Sequence, residues 1–278
     1  MAENENVTVD TLKVPGANIH YEVRGTGPVL LLITGGPVDA GTMTGLADHL
    51  SDEFTVVSYD QRGHSRSPFE GEPEDTGAPQ HADDAHELLA VFGTDPAYVF
   101  GNSGGATIGL DLVARFPTQV KTLVAHEPPL TEILPDRERW HATLGEIGRA
   151  YQAGGAFAGM GVFGAAVTEG GPEYEPPSDP SPEEMEAMGR MMGNFDFFLQ
   201  HELPVISRYV PDIEALRASS THIVVGGGEI SGEQAAGRAA AALASQLGIE
   251  LTVFPGGHGG DKADPVEFAN AVRRALKS

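Results

Sequence analysis

A serine placed between glycines is the first candidate for chemistry in this chain. Ser103 lies in the sequence GNSGG, directly after the apolar run AYVF and before an amphipathic segment. The pattern Gly-x-Ser-x-Gly at a strand-to-helix transition is typical of a nucleophile elbow, a sharp turn that raises the serine hydroxyl above a sheet edge. We therefore interpret Ser103 as a candidate nucleophile at the start of a helix.

A serine hydroxyl is a weak nucleophile and needs a neighbouring base. Of the ten histidines, His258 stands out because it follows the predicted strand ELTVFP in the loop GGHGG, before the last helix. This position predicts that His258 lies at the same sheet edge as Ser103. His64, in the sequence DQRGHS, is a weaker candidate. We interpret Asp60 and Arg62 of the same stretch as structural residues that fix the loop around the nucleophile.

The base needs an acid that holds its tautomer, and the sequence offers two glutamates. Glu127 ends the predicted strand VKTLVAHE, and Glu229 follows the predicted strand HIVVGGG. Two prolines follow Glu127 and stiffen its backbone, whereas Glu229 lies among glycines. The residues alone favour Glu127 and leave Glu229 open.

Attack on an acyl carbon also needs two backbone N–H groups that face the developing oxyanion. Gly104, directly after the serine, is the expected first donor. The loop TGGPVDAG supplies the second, and Gly36 is its natural donor because Pro37 has no N–H.

Short β-rich runs alternate with helical segments around these residues, which indicates an α/β fold with a mainly parallel sheet. We predict eight strands flanked by helices, with a helical cap inserted after the sixth strand. The expected division is a core of residues 1–127 and 213–278 and a cap of residues 128–212.

The predicted cap carries apolar side chains at helical spacing. They either pack the cap onto the core or form an adaptable roof over a substrate pocket. These residues are Met185, Met188, Met191, Met192, Phe195, Phe197 and Phe198, with Trp140 and Tyr151 in either role. Between the cap helices, residues 168–182 form a predicted loop rich in Gly, Pro and acidic residues.

The composition excludes several classes of function. A net charge of −23 argues against nucleic-acid or anionic-membrane partners, and the absence of cysteine excludes disulfides and thiolate chemistry. We see no secretory signal and no membrane-spanning run, so we expect a cytoplasmic protein. The chemistry predicted above needs no metal or organic cofactor. A homodimer is left open.

The motifs TGGP, DQRGHS, GNSGG and GGH, in this order, resemble those of the α/β-hydrolase superfamily. The resemblance covers residues 7–127 and 213–278. TGGP and DQRG are also similar to the proline iminopeptidase motifs, although Thr34 stands where those enzymes have histidine and their acid follows a later strand.

The sequence AHEPP resembles the motif of fungal zearalenone lactonases, in which the glutamate is the triad acid. This resemblance implies that Glu127 is the acid and that Gly36 and Gly104 are the oxyanion donors. It also implies a hydrolase that acts on a small apolar ester or lactone. The alternatives are an aminopeptidase, a carbon–carbon hydrolase or another enzyme of this fold, and a ligand receptor that turns over slowly.

Overall fold

The computed structural model describes residues 7–169 and 181–278, and within the latter range only the backbone of 182–184. The loop predicted at 168–182 therefore lies almost entirely outside the described residues.

The described residues contain one eight-stranded sheet, in the order β1-β2-β4-β3-β5-β6-β7-β8. β1 and β2 form an antiparallel pair, β2 runs antiparallel to β4, and the remaining neighbours are parallel. The strands are β1 (Val7–Val14), β2 (Ala17–Arg24), β3 (Val29–Ile33), β4 (Thr55–Tyr59), β5 (Ala97–Asn102), β6 (Val120–His126), β7 (His222–Gly228) and β8 (Thr252–Phe254). This arrangement confirms the predicted α/β-hydrolase sheet.

Helices cover both faces of the sheet, and further helices lie between β6 and β7. They are α1 (Thr44–Leu50), α2 (Ala78–Val91), α3 (Gly104–Arg115), α4 (Arg137–Thr168), α5 (Pro182–Phe197), α6 (Leu203–Ile206), α7 (Ile213–Ala218), α8 (Ala235–Leu247), α9 (Gly260–Ala263) and α10 (Pro265–Lys277). A π-helical turn, Phe198–Glu202, joins α5 to α6.

The central strand β3 shows why the sheet needs two helical layers. Its side chains alternate between the faces, so that Leu31 and Ile33 join the apolar cluster on one side and Leu30 and Leu32 join the cluster on the other. All four are essentially buried. Each such leucine or isoleucine stabilises the fold by about 1.5–3 kcal/mol. The packing of β3 on both faces therefore stabilises the sheet up to the end of this strand.

The insertion, by which we mean the residues between β6 and β7, has an apolar cluster of its own. Ile147, Phe198, Leu199 and Leu203 are its buried members. Gly155 kinks α4, since its φ of 76° is non-helical, and the helix then resumes to Thr168.

The predicted roles of the methionines in α5 are wrong for three of the four. Met185, Met188 and Met192 are exposed, the first by 55%. At these exposures they are not buried between the insertion and the core, and none of the three is among the described residues that line the cavity above Ser103. In the described part of the chain, no helix combines the length and apolarity needed to cross a membrane.

Candidate active site

Ser103 lies between β5 and α3 in a strained conformation, with φ 57° and ψ −124°. The turn can be this sharp only because its neighbours lack side chains. A Cβ on Gly101 would lie 2.4 Å from the Gly105 carbonyl oxygen, and a Cβ on Gly105 would lie 2.1 Å from the Ile33 carbonyl oxygen. A non-glycine residue held at such φ/ψ costs about 1–3 kcal/mol, which the packed strands around it must offset.

Backbone hydrogen bonds join the ends of three parallel strands beside this turn. The Ser103 N–H donates to the His126 carbonyl at 2.9 Å, and the Glu127 N–H donates to the Gly226 carbonyl at 2.9 Å. Glu127 also has a positive φ, 49°, directly before Pro128. The nucleophile candidate and the acid candidate are thus held at one sheet edge by backbone contacts.

The Glu127 carboxylate contacts His258 across this edge. Its Oε2 atom lies 2.6 Å from His258 Nδ1, and its Oε1 atom accepts a hydrogen bond from the Gly228 N–H at 2.7 Å. Burial raises the pKa of Glu127, but the bonds from His258 and Gly228 have the larger, opposite effect. The resulting pKa of Glu127 is about 2. An ionised Glu127 fixes the proton on Nδ1, which leaves Nε2 of His258 as the basic nitrogen.

The other acid candidate lies away from this contact. Glu229 is exposed and lines a separate surface pocket together with Asp264 and Glu267. Its backbone N–H pairs with the Phe254 carbonyl at 2.9 Å, which continues the β7–β8 pairing. The structure therefore brings Glu127 and not Glu229 to His258.

The two glycines predicted as oxyanion donors are neighbours. A Cβ on Gly104 would lie 3.7 Å from the Gly36 nitrogen, and both residues line one cavity with Ser103 and His258. Gly104 is also the first residue of α3, where unpaired N–H groups and the helix dipole favour negative charge. Gly35 permits this approach, because a Cβ there would lie 2.4 Å from the Gly104 nitrogen.

A residue of the insertion holds the loop that carries Gly36. Asn194, on α5, is 3% exposed and donates from Nδ2 to the Pro37 carbonyl at 3.1 Å. Its Oδ1 atom accepts from the Ser65 N–H at 2.7 Å. Sequence reasoning missed Asn194, although a polar residue within the apolar stretch of α5 was a signal that could have been used.

Arg190, one turn before Asn194, makes a second link between α5 and the same loop. Its Nε atom lies 2.5 Å from Asp39 Oδ2. The loop therefore contacts the insertion on both sides of Val38.

The stretch DQRGHS holds the same loop from the core. Asp60 is fully buried, accepts from the Ala40 N–H at 3.0 Å and pairs with Arg66 at 2.8 Å. Gln61 donates to the Thr34 carbonyl at 2.6 Å, and Arg62 fixes the stretch itself to α2 by pairing with buried Asp84. These contacts fit the structural role expected for Asp60 and Arg62.

Asn102 connects the elbow to the loop of the histidine. Its Oδ1 atom lies 2.8 Å from Nδ1 of buried His126, and its Nδ2 atom donates to the His258 carbonyl at 3.4 Å. Burial lowers the pKa of His126 to about 4, so this imidazole is neutral near pH 7. Asn102 and His126 therefore position the His258 loop without adding charge.

The cavity above Ser103 encloses about 830 Å³, including its open mouth, and its wall is mostly apolar. The insertion supplies much of this wall, including Trp140, Leu144, Ile147, Phe163, Phe198, Leu203 and Ile206. Glu202 also lines it, at the end of the π-helical turn. Within the described residues, no group of three or more His, Asp or Glu is arranged to hold a metal ion.

The sheet order and the strained serine after β5 define an α/β-hydrolase, and the chain belongs to that family. The family model for the alpha/beta hydrolase fold matches residues 28–192. An uncharacterised hydrolase of Bacillus subtilis strain 168, YraK, is 38% identical over 275 residues, which cover 96% of this chain and 95% of that relative.

Two solved structures show the same fold at low identity. An esterase from Thermogutta terrifontis, described as thermophilic, superposes with a TM-score of 0.75 at 19% identity and covers 97% of both chains. The enol-lactonase from Burkholderia xenovorans LB400 has a TM-score of 0.67 at 18% identity and covers 97% of this chain and 100% of its own.

Proposed function

We propose that this hydrolase cleaves a carboxylic ester or lactone through an acyl-enzyme. The proposal is carried by one observation: His258, whose Nδ1 atom lies 2.6 Å from Glu127 Oε2, lines the same cavity as Ser103. In this proposal Ser103 is the nucleophile, His258 the general base and Glu127 the acid that orients the base.

The reaction follows from these positions. His258 Nε2 takes the Ser103 proton as Oγ bonds to the carbonyl carbon, and the oxygen that becomes negative accepts from the N–H groups of Gly36 and Gly104. Collapse of the intermediate breaks the bond to the leaving oxygen, which receives the proton from His258. Water then attacks the acyl-enzyme by the same route and releases the acid and free Ser103.

The cavity supports a small apolar substrate. Its wall is formed largely by aromatic and aliphatic side chains, so an alkyl or aryl group gains by leaving water there. Two proteins that share the fold are described as an esterase and an enol-lactonase. These names support an ester or lactone as the first substrate class to test.

The test is a panel of p-nitrophenyl esters and simple lactones assayed beside amino-acid anilides. We expect measurable kcat/KM on the esters or lactones, little on the anilides, and loss of turnover in Ser103→Ala. Faster hydrolysis of the anilides would favour an aminopeptidase. Stoichiometric labelling of Ser103 by a fluorophosphonate without multiple turnover on any ester would favour a ligand receptor.

A further inference from the structure

Glu202 is a buried carboxyl group that the reaction above does not use. It is 1% exposed, yet it lines the same cavity as Ser103. It ends the π-helical turn Phe198–Glu202, and π-helical turns occur frequently at functional sites. The turn brings a polar side chain into a wall that is otherwise mostly apolar.

The polar groups around Glu202 have unused hydrogen-bonding capacity. Its Oε2 atom lies 3.1 Å from His64 Nε2 without the alignment of a hydrogen bond, and its Oε1 atom lies 3.8 Å from His81 Nε2. Among the described residues, neither imidazole nitrogen of His81 has a hydrogen-bond partner, and the same is true of the buried Tyr59 hydroxyl. The His64 ring contacts the Arg62 backbone but makes no well-aligned hydrogen bond through either nitrogen. Buried polar atoms are rarely left unpaired, so such a cluster calls for a further partner.

This environment keeps Glu202 in its acid form. In the described part of the chain its ion-pair partners are the two histidines, and no lysine or arginine pairs with it. Burial raises the pKa of Glu202 to about 8 and lowers the pKa of His64 to about 4. Near pH 7 the cluster therefore consists of a carboxylic acid and neutral imidazoles, and the acid carries one O–H donor and one carbonyl acceptor.

We propose that the Glu202 side chain in the cavity wall binds a hydroxyl or carbonyl oxygen on the chain of the substrate. The inference rests on the proposed ester or lactone hydrolysis and narrows its substrate to esters or lactones with an oxygenated chain. A plain alkyl chain at this point leaves the buried acid unpaired, whereas a hydroxyl or oxo group pairs with it. An ammonium group would have to lose its hydration in an apolar cavity and ionise Glu202 as well.

The test compares kcat/KM for matched p-nitrophenyl esters of equal chain length, with and without a hydroxyl or oxo group at successive carbon atoms. We expect the wild type to prefer the oxygenated ester at one position by about tenfold or more. Glu202→Gln, which still donates and accepts, should keep this preference within about threefold. Glu202→Met should reduce it to about twofold or less, with Ser103 titration by a fluorophosphonate used to correct for inactive protein.

Two results in this panel would overturn the inference: the preference could survive in Glu202→Met, or the wild type could hydrolyse esters without any preference. Amino-substituted esters of the same chain length are assayed beside the panel. A preference for them that Glu202→Gln abolishes would also overturn the inference and would assign Glu202 to a cation. A wild type that hydrolyses no ester or lactone overturns the proposed function itself, and this inference with it, which is distinct from ester hydrolysis without selectivity.

Discussion

Two buried glutamates, Glu127 behind His258 and Glu202 in the cavity wall, differ in charge although both are at most 1% exposed. Glu127 has two hydrogen-bond donors, the His258 imidazole and the Gly228 N–H. Glu202 has imidazoles nearby but no aligned donor for Oε2 in the described residues. The pKa of Glu127 is lowered to about 2 and that of Glu202 is raised to about 8.

The difference shows that partners, and not burial alone, decide the protonation state of a carboxyl group here. Burial raises the pKa of both groups, and only Glu127 has bonds that reverse this effect. Two carboxyl groups with opposite protonation at one pH can take opposite roles, one as an anion that orients a base and one as a neutral donor.

The largest expected effect on kcat comes from removing Glu127, the charged one of the two glutamates. Glu127→Ala should lower kcat by about 10³ or more, because His258 loses the anion that fixes its tautomer. Steady-state ester hydrolysis measures this change. Glu229→Ala is the matched control and should cost less than about tenfold, and the reverse ranking would assign the acid to Glu229.

Glu202, the uncharged one of the two glutamates, should make the free energy of unfolding depend on pH. The folded-state pKa of Glu202 is about 8, whereas its ordinary value is 4.5. The contribution of Glu202 to the free energy of unfolding is therefore fully present below pH 4.5 and is lost as the pH rises to 8. Glu202→Gln removes this dependence. Between pH 5 and pH 8, we expect the free energy of unfolding of Glu202→Gln to rise relative to that of wild type by on the order of 3 kcal/mol.

Urea unfolding of both proteins at the two pH values measures this gain. His64 and His81 are present in both proteins, so their own titration largely cancels in the comparison. An identical pH slope in wild type and Glu202→Gln would mean that Glu202 is ionised in the folded protein.

A smaller effect on kcat should follow from changing Asn194, which lies on the insertion, as Glu202 does, but contacts the loop that carries Gly36. Asn194→Ala removes the bond to the Pro37 carbonyl and loosens the Gly36 N–H. We expect kcat to fall by about tenfold to a hundredfold, less than the loss of an oxyanion donor, with KM nearly unchanged.

Steady-state inhibition by a transition-state analogue such as a boronic acid measures this effect separately. The analogue should bind Asn194→Ala more weakly than wild type by a factor similar to the loss in kcat. Asn270→Ala, at an exposed position on α10, serves as the control and should change kcat less than about twofold. A rise in KM alone would mean that Asn194 shapes the substrate pocket and does not position Gly36.

The Ser103 end of the cavity could be predicted from the sequence because each of the candidate residues there follows a strand. Ser103, Glu127 and His258 come after β5, β6 and β8, and the carboxyl ends of parallel strands meet at one edge. The choice between Glu127 and Glu229 was harder, because both follow strands. The backbone of Glu127 before Pro128 was the local cue that favoured it.

The other end of the cavity could not be predicted in this way. The positions of Asn194 and Glu202 depend on how the insertion packs on the core, and their contacts with Pro37 and His64 join residues far apart in the chain. The π-helical turn also shifts the side chains after Phe197 from the spacing of an α-helix, so a helical pattern assigns Glu202 to the wrong face.

The bond between Asn194 and the Pro37 carbonyl has a consequence for the order of events in turnover. If α5 moves away from the core to admit substrate, this bond and the Arg190–Asp39 pair break, and the Gly36 loop loses both of its links to α5. Substrate then enters when α5 is away from the core, and acyl transfer takes place when α5 is packed on it. The fraction of time spent closed sets an upper limit on kcat, whatever the reactivity of Ser103.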